Sequence, residues 1–207
     1  MNMIKIQTGD LFVNTYIIHA ESSKECIVID PGGSYDKINN VLTKYELVPK
    51  VILLTHGHFD HIGAVNELKE GYSSRVMIHK DDANMLTDSK KNLSAFLFKD
   101  QVVCQPADET FEQQEIICCG ITVTIIHTPG HSPGGVVFLM GNVAFTGDTL
   151  FNMSIGRADF LGCDEKKLNE SLKKLKDIIL PEYQIFPGHG TESTFDYELK
   201  NNPYLKG

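Results

Sequence analysis

The chain has 207 residues, 42% of them hydrophobic and 22% charged, and a formal net charge of -8 at pH 7. This length suits a single domain spanning residues 1–207, with a core that needs no disulfide or structural zinc to form. The composition excludes a disordered or collagen-like chain, and the acidic balance argues against a nucleic-acid-binding surface.

The N-terminus lacks a charged start followed by an apolar run and a small-residue cleavage site, so no signal peptide is expected. No apolar stretch approaches the roughly 18 residues of a membrane span, so no membrane partner is expected. Met3–Gln7, Thr15–His19 and Cys26–Ile29 read as strands, the last ending at the turn Asp30-Pro31-Gly32-Gly33. Ile38, Val41, Leu42 and Tyr45 follow helical spacing, with Ser34 as the expected N-cap. Val51–Leu54 is a short apolar run, hence a buried strand; Ile62, Val65 and Leu68 mark a short helix after it. Arg75–Ile78 reads as a strand and Asp81–Leu86 as a short helix.

Residues 92–109 are less regular, a loop with a helical piece around Ala95–Phe98 that would border a binding cleft. Ile121–Ile126, Val136–Met140 and Val143–Phe145 read as strands. Leu168, Leu172, Leu175 and Ile179 form one helical stripe behind an N-cap at Asp164, and Gln184–Phe186 is a final strand stopped by Pro187-Gly188. Interleaved strands and helices give an α/β layered fold. Hairpin-like strand pairs in each half favour two sheets over one.

The five cysteines include the adjacent pair Cys118 and Cys119, a poor disulfide framework. They read mostly as small buried hydrophobes in a reducing cytoplasm. The eight histidines are more telling. After the buried strand come Thr55-His56-Gly57-His58-Phe59-Asp60-His61. His56 and His58, two apart in an extended loop, can point the same way and grip one ion. Asp60 and His61 open the next helix and can face a second. Imidazole with carboxylate suits zinc, iron or manganese. Further ligands are available at three later strand ends: His131 within Thr128–Gly134, Asp148 after Gly147, and His189 between Gly188 and Gly190. His127 reads as structural, and His19 and His79 as ordinary surface or edge residues at strand ends.

These motifs, with Asp30-Pro31-Gly32 and Ser154–Asp159, resemble the metallo-β-lactamase superfamily, and most closely its glyoxalase II-like hydrolases. The resemblance covers nearly the whole chain. It implies an αββα four-layer sandwich of two mixed sheets flanked by helices. It implies two divalent metal ions, zinc first with iron or manganese as alternatives. One would be held by His56, His58 and His131, the other by Asp60, His61 and His189, with Asp148 bridging. Asp30 would support the site from behind, or else is simply a turn residue. Arg157 would meet an anionic substrate group, or else pairs with Asp159.

The charge of two divalent ions outweighs that of Asp60, Asp148 and one hydroxide, so such a cluster can hold hydroxide at neutral pH. A metal-bridging hydroxide would attack the carbonyl of a small-molecule thioester or ester, with Asp60 as the catalytic residue that orients it or takes its proton. The family's full-length members carry a helical C-terminal segment for glutathione, which this sequence lacks; a short form is implied. A mononuclear iron persulfide dioxygenase is the nearest alternative enzyme, and a non-catalytic metal-binding or regulatory protein the alternative of another class. The true metallo-β-lactamases, which use a different ligand near the Asp148 position, resemble this pattern less.

Overall fold

The computed structural model describes residues 1–97 and 99–206. In the first half, β1 (Asn2–Thr8), β2 (Val13–His19) and β3 (Glu25–Ile29) form an antiparallel meander. From β3 onward the pairing turns parallel, through β4 (Val48–Leu53), β5 (Arg75–His79) and β6 (Glu109–Phe111). Parallel neighbours require crossovers. These are α1 (Tyr35–Tyr45), then α2 (Phe59–Ile62) with α3 (Val65–Tyr72), then a 3-10 turn at Ala83–Met85 with α4 (Ser94–Leu97).

The second half builds another six-stranded sheet. β7 (Gln114–Cys118), β8 (Ile121–His127), β9 (Val136–Met140) and β10 (Val143–Gly147) run antiparallel in sequence. A small hairpin of β11 (Leu150–Phe151) and β12 (Ser154–Ile155) precedes the crossover α5 (Glu165–Ile178). β13 (Gln184–Pro187) then pairs parallel to β10, β14 (Ser193–Thr194) closes the sheet edge, and α6 (Phe195–Asn201) follows.

The layering follows from the period-2 alternation of strand side chains. Ile27, Ile29 and Leu53 face Val123, Ile125 and Phe138 of the other sheet, forming the core between the sheets. The alternate residues Cys26, Val28 and Ile52 pack outward on Ile38, Leu42, Val65 and Leu68 of α1 and α3. Val137, Leu139 and Ala144 likewise pack on Leu172, Leu175 and Phe195 of α5 and α6. Strands buried on both faces read as continuous apolar runs, and each such side chain contributes about 1.5–3 kcal/mol on burial. The result is two mixed sheets face to face with helices outside, the α/β sandwich expected. Among the described residues no helix is long and apolar enough to cross a membrane.

Several local expectations are corrected. Ser34 occupies the N-cap position, but in the left-handed region (φ 51°), and its side chain caps nothing. Its Oγ instead accepts from the Gly9 N–H at 3.2 Å. Asp164 does cap α5, accepting from the Lys167 N–H at 3.0 Å. The single helix expected around Ile62–Leu68 is two, broken at Gly63 and Ala64. The helical piece near Ala95 is α4, Ser94–Leu97; Phe98 lies outside the described residues. His79 is not a surface residue. It is buried, its ring stacked on His127 at 4.0 Å and 13° between the two sheets. His19 is part-exposed, in keeping with the surface alternative, although β2 is paired on both sides and is not an edge strand. All five cysteines are free, with Cys26, Cys104 and Cys118 buried.

Candidate metal centre

The site is made where strands stop. β4 ends at Leu53, its apolar run continues one residue further to Leu54, and Thr55–His61 leads over the sheet rim into α2. His58 sits at the N-cap in extended conformation, and Asp60 and His61 fall in the first turn, so three side chains within four residues leave in different directions. His131 comes from the turn between β8 and β9. Asp148 follows β10 directly, and His189 follows β13, its parallel neighbour. The structure brings all seven sequence-derived residues into one cluster. Three triads each place one ligand atom per residue within 4.8 Å of the others: His56, His58 and His131; His56, His61 and Asp148; Asp60, His61 and His189.

Ring orientation is set from behind. His61 Nδ1 lies 2.9 Å from Asp30 Oδ2. His131 Nδ1 lies 2.8 Å from the Arg157 carbonyl, and His189 Nδ1 3.2 Å from the Leu11 carbonyl. His56 Nδ1 lies 3.1 Å from Thr55 Oγ1, whose own proton goes to Asp30 Oδ2 at 2.6 Å. Each of these acceptors fixes the proton on Nδ1 and turns the Nε2 lone pair inward. His58 is the exception: its Nδ1 faces His131 Nε2 at 2.9 Å. Two ring nitrogens aimed at each other suit a shared cation.

Charge and burial bear on the same point. His56 Nε2, His61 Nε2 and Asp148 Oδ1 are buried without a hydrogen-bond partner among the described residues. Orphaned buried polar atoms are costly, and three in one place demand a compensating group. A divalent cation with N and O ligands is that group, so the residues fit a metal. Burial, then the neighbouring imidazoles, hold His56 well below the usual histidine range, and burial pushes His58 down to about 3. Both therefore offer lone pairs at neutral pH. Burial alone would raise Asp148 and Asp60, but the imidazoles, His61 foremost, outweigh it and keep both carboxylates ionised. Burial would lower His61 and His189, yet the facing carboxylates raise both. Besides the proton on Nδ1, each of these rings can take a second on Nε2, which lies 3.4 Å from Asp148 Oδ1 in His61 and 3.3 Å from Asp60 Oδ2 in His189; a cation would compete with that second proton.

Asp30 sits behind the cluster with φ 49°, accepting from the Thr55 N–H, the Thr55 hydroxyl and His61. Arg157 lies at the rim, and its guanidinium is paired with Asp159 at 2.8 and 3.1 Å. Its main-chain carbonyl is what reaches the cluster. Gly188 allows the close approach there: a Cβ would come within 2.7 Å of His61 Cε1.

Sequence reasoning missed two supports. Asp82, fully buried, accepts from Gly57 N–H at 3.1 Å, Ser132 Oγ at 2.6 Å and the Gly134 N–H. It ties the His56–His61 loop to the His131 turn. Asn14 donates through Nδ2 to the Pro187 and Gly190 carbonyls at 3.0 and 2.9 Å, and the Tyr16 hydroxyl donates to Pro187 at 2.6 Å. Together they seat the His189 turn. The only sequence signal for Asp82 was a carboxylate next to an expected helix start, which names no partner.

A four-layer α/β sandwich carrying a histidine and aspartate metal-binding cluster at its sheet rim defines a class of metallo-hydrolases. The chain belongs to the metallo-beta-lactamase superfamily, whose family profile matches residues 8–189. It is 35% identical to the probable metallo-hydrolase YqgX of Bacillus subtilis, over 100% of this chain and 99% of that protein. It is 33% identical to hydroxyacylglutathione hydrolase GloC of Haemophilus influenzae, over 89% of each. Among solved structures, the BLEG-1 B3 metallo-beta-lactamase superposes with a TM-score of 0.95 at 34% identity, over 100% of both chains.

Proposed function

We propose that the protein hydrolyses a small-molecule thioester with two divalent metal ions, zinc by first expectation. His56, His58 and His131 would hold one ion, Asp60, His61 and His189 the other, and Asp148 would lie between them. The observation that carries this reading is the set of orphaned buried atoms, His56 Nε2, His61 Nε2 and Asp148 Oδ1, at the junction of the triads.

When bound, such ions polarise a carbonyl oxygen and lower the pKa of water to about 7. The chain's own residues supply the rest. Asp60 Oδ2 stands 3.3 Å from His189 Nε2 and 3.7 Å from His61 Nε2 and stays ionised, so it can orient water and accept its proton. Asp30, the Arg157 carbonyl and the Leu11 carbonyl hold the rings so that this geometry is preorganised. The cluster forms the floor of an open cavity of about 630 Å³ whose walls include Phe59, Leu93, Phe96, Leu97 and Phe160. That size suits a small-molecule substrate.

The relation to GloC supports a thioester carbonyl. The test is hydrolysis of a chromogenic thioester before and after chelation, with metal counted per chain. Chelator-sensitive turnover with two ions per chain supports the reading; no turnover of any ester or thioester by the metal-loaded protein refutes it. The similarity to BLEG-1 over both full chains favours one second reading, β-lactam hydrolysis. Turnover of a chromogenic cephalosporin faster than of any thioester would install it instead.

A further inference from the structure

The cavity above the cluster has walls unlike its floor. Asp60, His131, Asp148 and His189 lie at the bottom. Around them the lining is apolar and strongly solvent-exposed for such residues: Leu11 at 47%, Phe96 at 64%, Leu97 at 62% and Leu161 at 65%. Scattered exposed hydrophobes need no explanation, but here they come from three separate segments and face one opening. Leu11 precedes β2, Phe96 and Leu97 sit on α4, and Leu161 lies in the segment before α5. Among the described residues lining the cavity, the one cationic side chain outside the histidines is Arg157, and its guanidinium is already met by Asp159 and lies 5.2 Å over the Phe160 ring.

We propose that the substrate presents an uncharged, apolar chain or ring to these walls, extending from the scissile carbonyl across Phe96, Leu97 and Leu161. This rests on the thioester reading and specifies its substrate class. A carboxylate-bearing thiol such as glutathione would have to place its charges against exposed leucine and phenylalanine, or displace Asp159 from Arg157; an apolar group gains from the same surface. Each methylene buried against the walls is worth about a three- to fourfold gain in kcat/KM, because apolar transfer is nearly proportional to the area covered. The apolar group can belong to either side of the carbonyl, so the acyl and thiol arms are tested separately.

The experiment uses the metal-loaded full chain. In one arm, acetyl, butanoyl, hexanoyl and glutaryl thioesters of N-acetylcysteamine are compared. In the other, acetyl thioesters of ethanethiol, hexanethiol and glutathione are compared. The expected result is a rise of kcat/KM of at least tenfold from acetyl to hexanoyl, or from ethyl to hexyl thiol, with glutaryl and glutathione substrates below their apolar counterparts. Replacing both Phe96 and Leu97 by Ser, on the exposed helix α4, should reduce that rise to threefold or less. A flat series, or preference for the glutaryl or glutathione substrate, overturns the inference while leaving thioester hydrolysis standing. Binding of non-hydrolysable ethyl, hexyl and carboxypentyl thioethers is measured alongside by calorimetry. If no thioester is turned over but hexyl binds at least tenfold tighter than ethyl, the thioester reading fails and the apolar substrate class stands. Chain-length-independent binding overturns the inference whatever the turnover.

Discussion

Two groups of histidines lie at the rim of this sandwich, and only one is arranged as a metal centre. His79, Asp81 and His127 also place ligand atoms within 4.8 Å of each other, as close as the triads of the main cluster. Yet the His79 and His127 rings stack face to face, 13° from parallel, so their in-plane lone pairs do not converge on one point. One nitrogen of each ring is also engaged. His79 Nδ1 accepts from the Asp81 N–H at 3.2 Å, and His127 Nε2 meets the Pro133 carbonyl at 3.0 Å. In the main cluster the outer nitrogens of His61, His131 and His189 are tied back to protein acceptors, while the inner Nε2 atoms of His56 and His61 are orphaned. Proximity makes both groups look alike; the unpaired buried atoms distinguish them.

The largest expected effect breaks the main cluster. Asp148→Ala or His56→Ala should cost at least one bound ion and lower turnover by about a thousandfold or more, read by metal analysis and hydrolysis rate. Asp30→Asn comes next. It keeps the shape but weakens the acceptor behind His61, so metal affinity should fall by about 10–100-fold in a chelator competition. Asp82→Ala leaves the Gly57 and Gly134 N–H groups and the Ser132 hydroxyl without their acceptor, and should destabilise the fold by about 3 kcal/mol in urea unfolding.

The smallest effect belongs to the stacked pair. Burial, then the His127 ring, pushes His79 down to about 4 from its ordinary 6.5. The unfolded chain therefore binds this proton more readily than the folded one between those values. Stability contributed by the neutral ring is full above about pH 6.5 and is lost as pH falls toward 4. His79→Gln should flatten unfolding free energy across that window relative to the parent chain, and leave metal content unchanged.

How much of this was legible in the sequence depended on how locally each residue acts. His56, His58, Asp60 and His61 stand out because one short loop carries them all after an apolar strand. His131, Asp148 and His189 stand out because Gly and Pro turns mark the strand ends they follow. Asp82 is silent because its partners, Gly57, Ser132 and Gly134, are distant in the chain and two of them act through backbone N–H groups. The pairing of Arg157 with Asp159 was one of the two readings its sequence allowed, but its carbonyl's hold on His131 was silent, because a backbone acceptor carries no residue-type signal. His79 read as exposed because a strand end usually is, and only the second sheet, bringing His127 over it, buries the ring. The fold class was readable from alternating apolar runs. β14 and α6 were not, since Ser193–Asn201 is mostly polar and takes its place through the buried Phe195 and Glu198.

The most direct test of the account is metal content per chain, measured on the parent protein and on the Asp148→Ala and His79→Gln variants together. The account predicts two divalent ions in the parent, at least one lost from Asp148→Ala, and two kept in His79→Gln. A single iron in the parent, or two ions retained without Asp148, would contradict it.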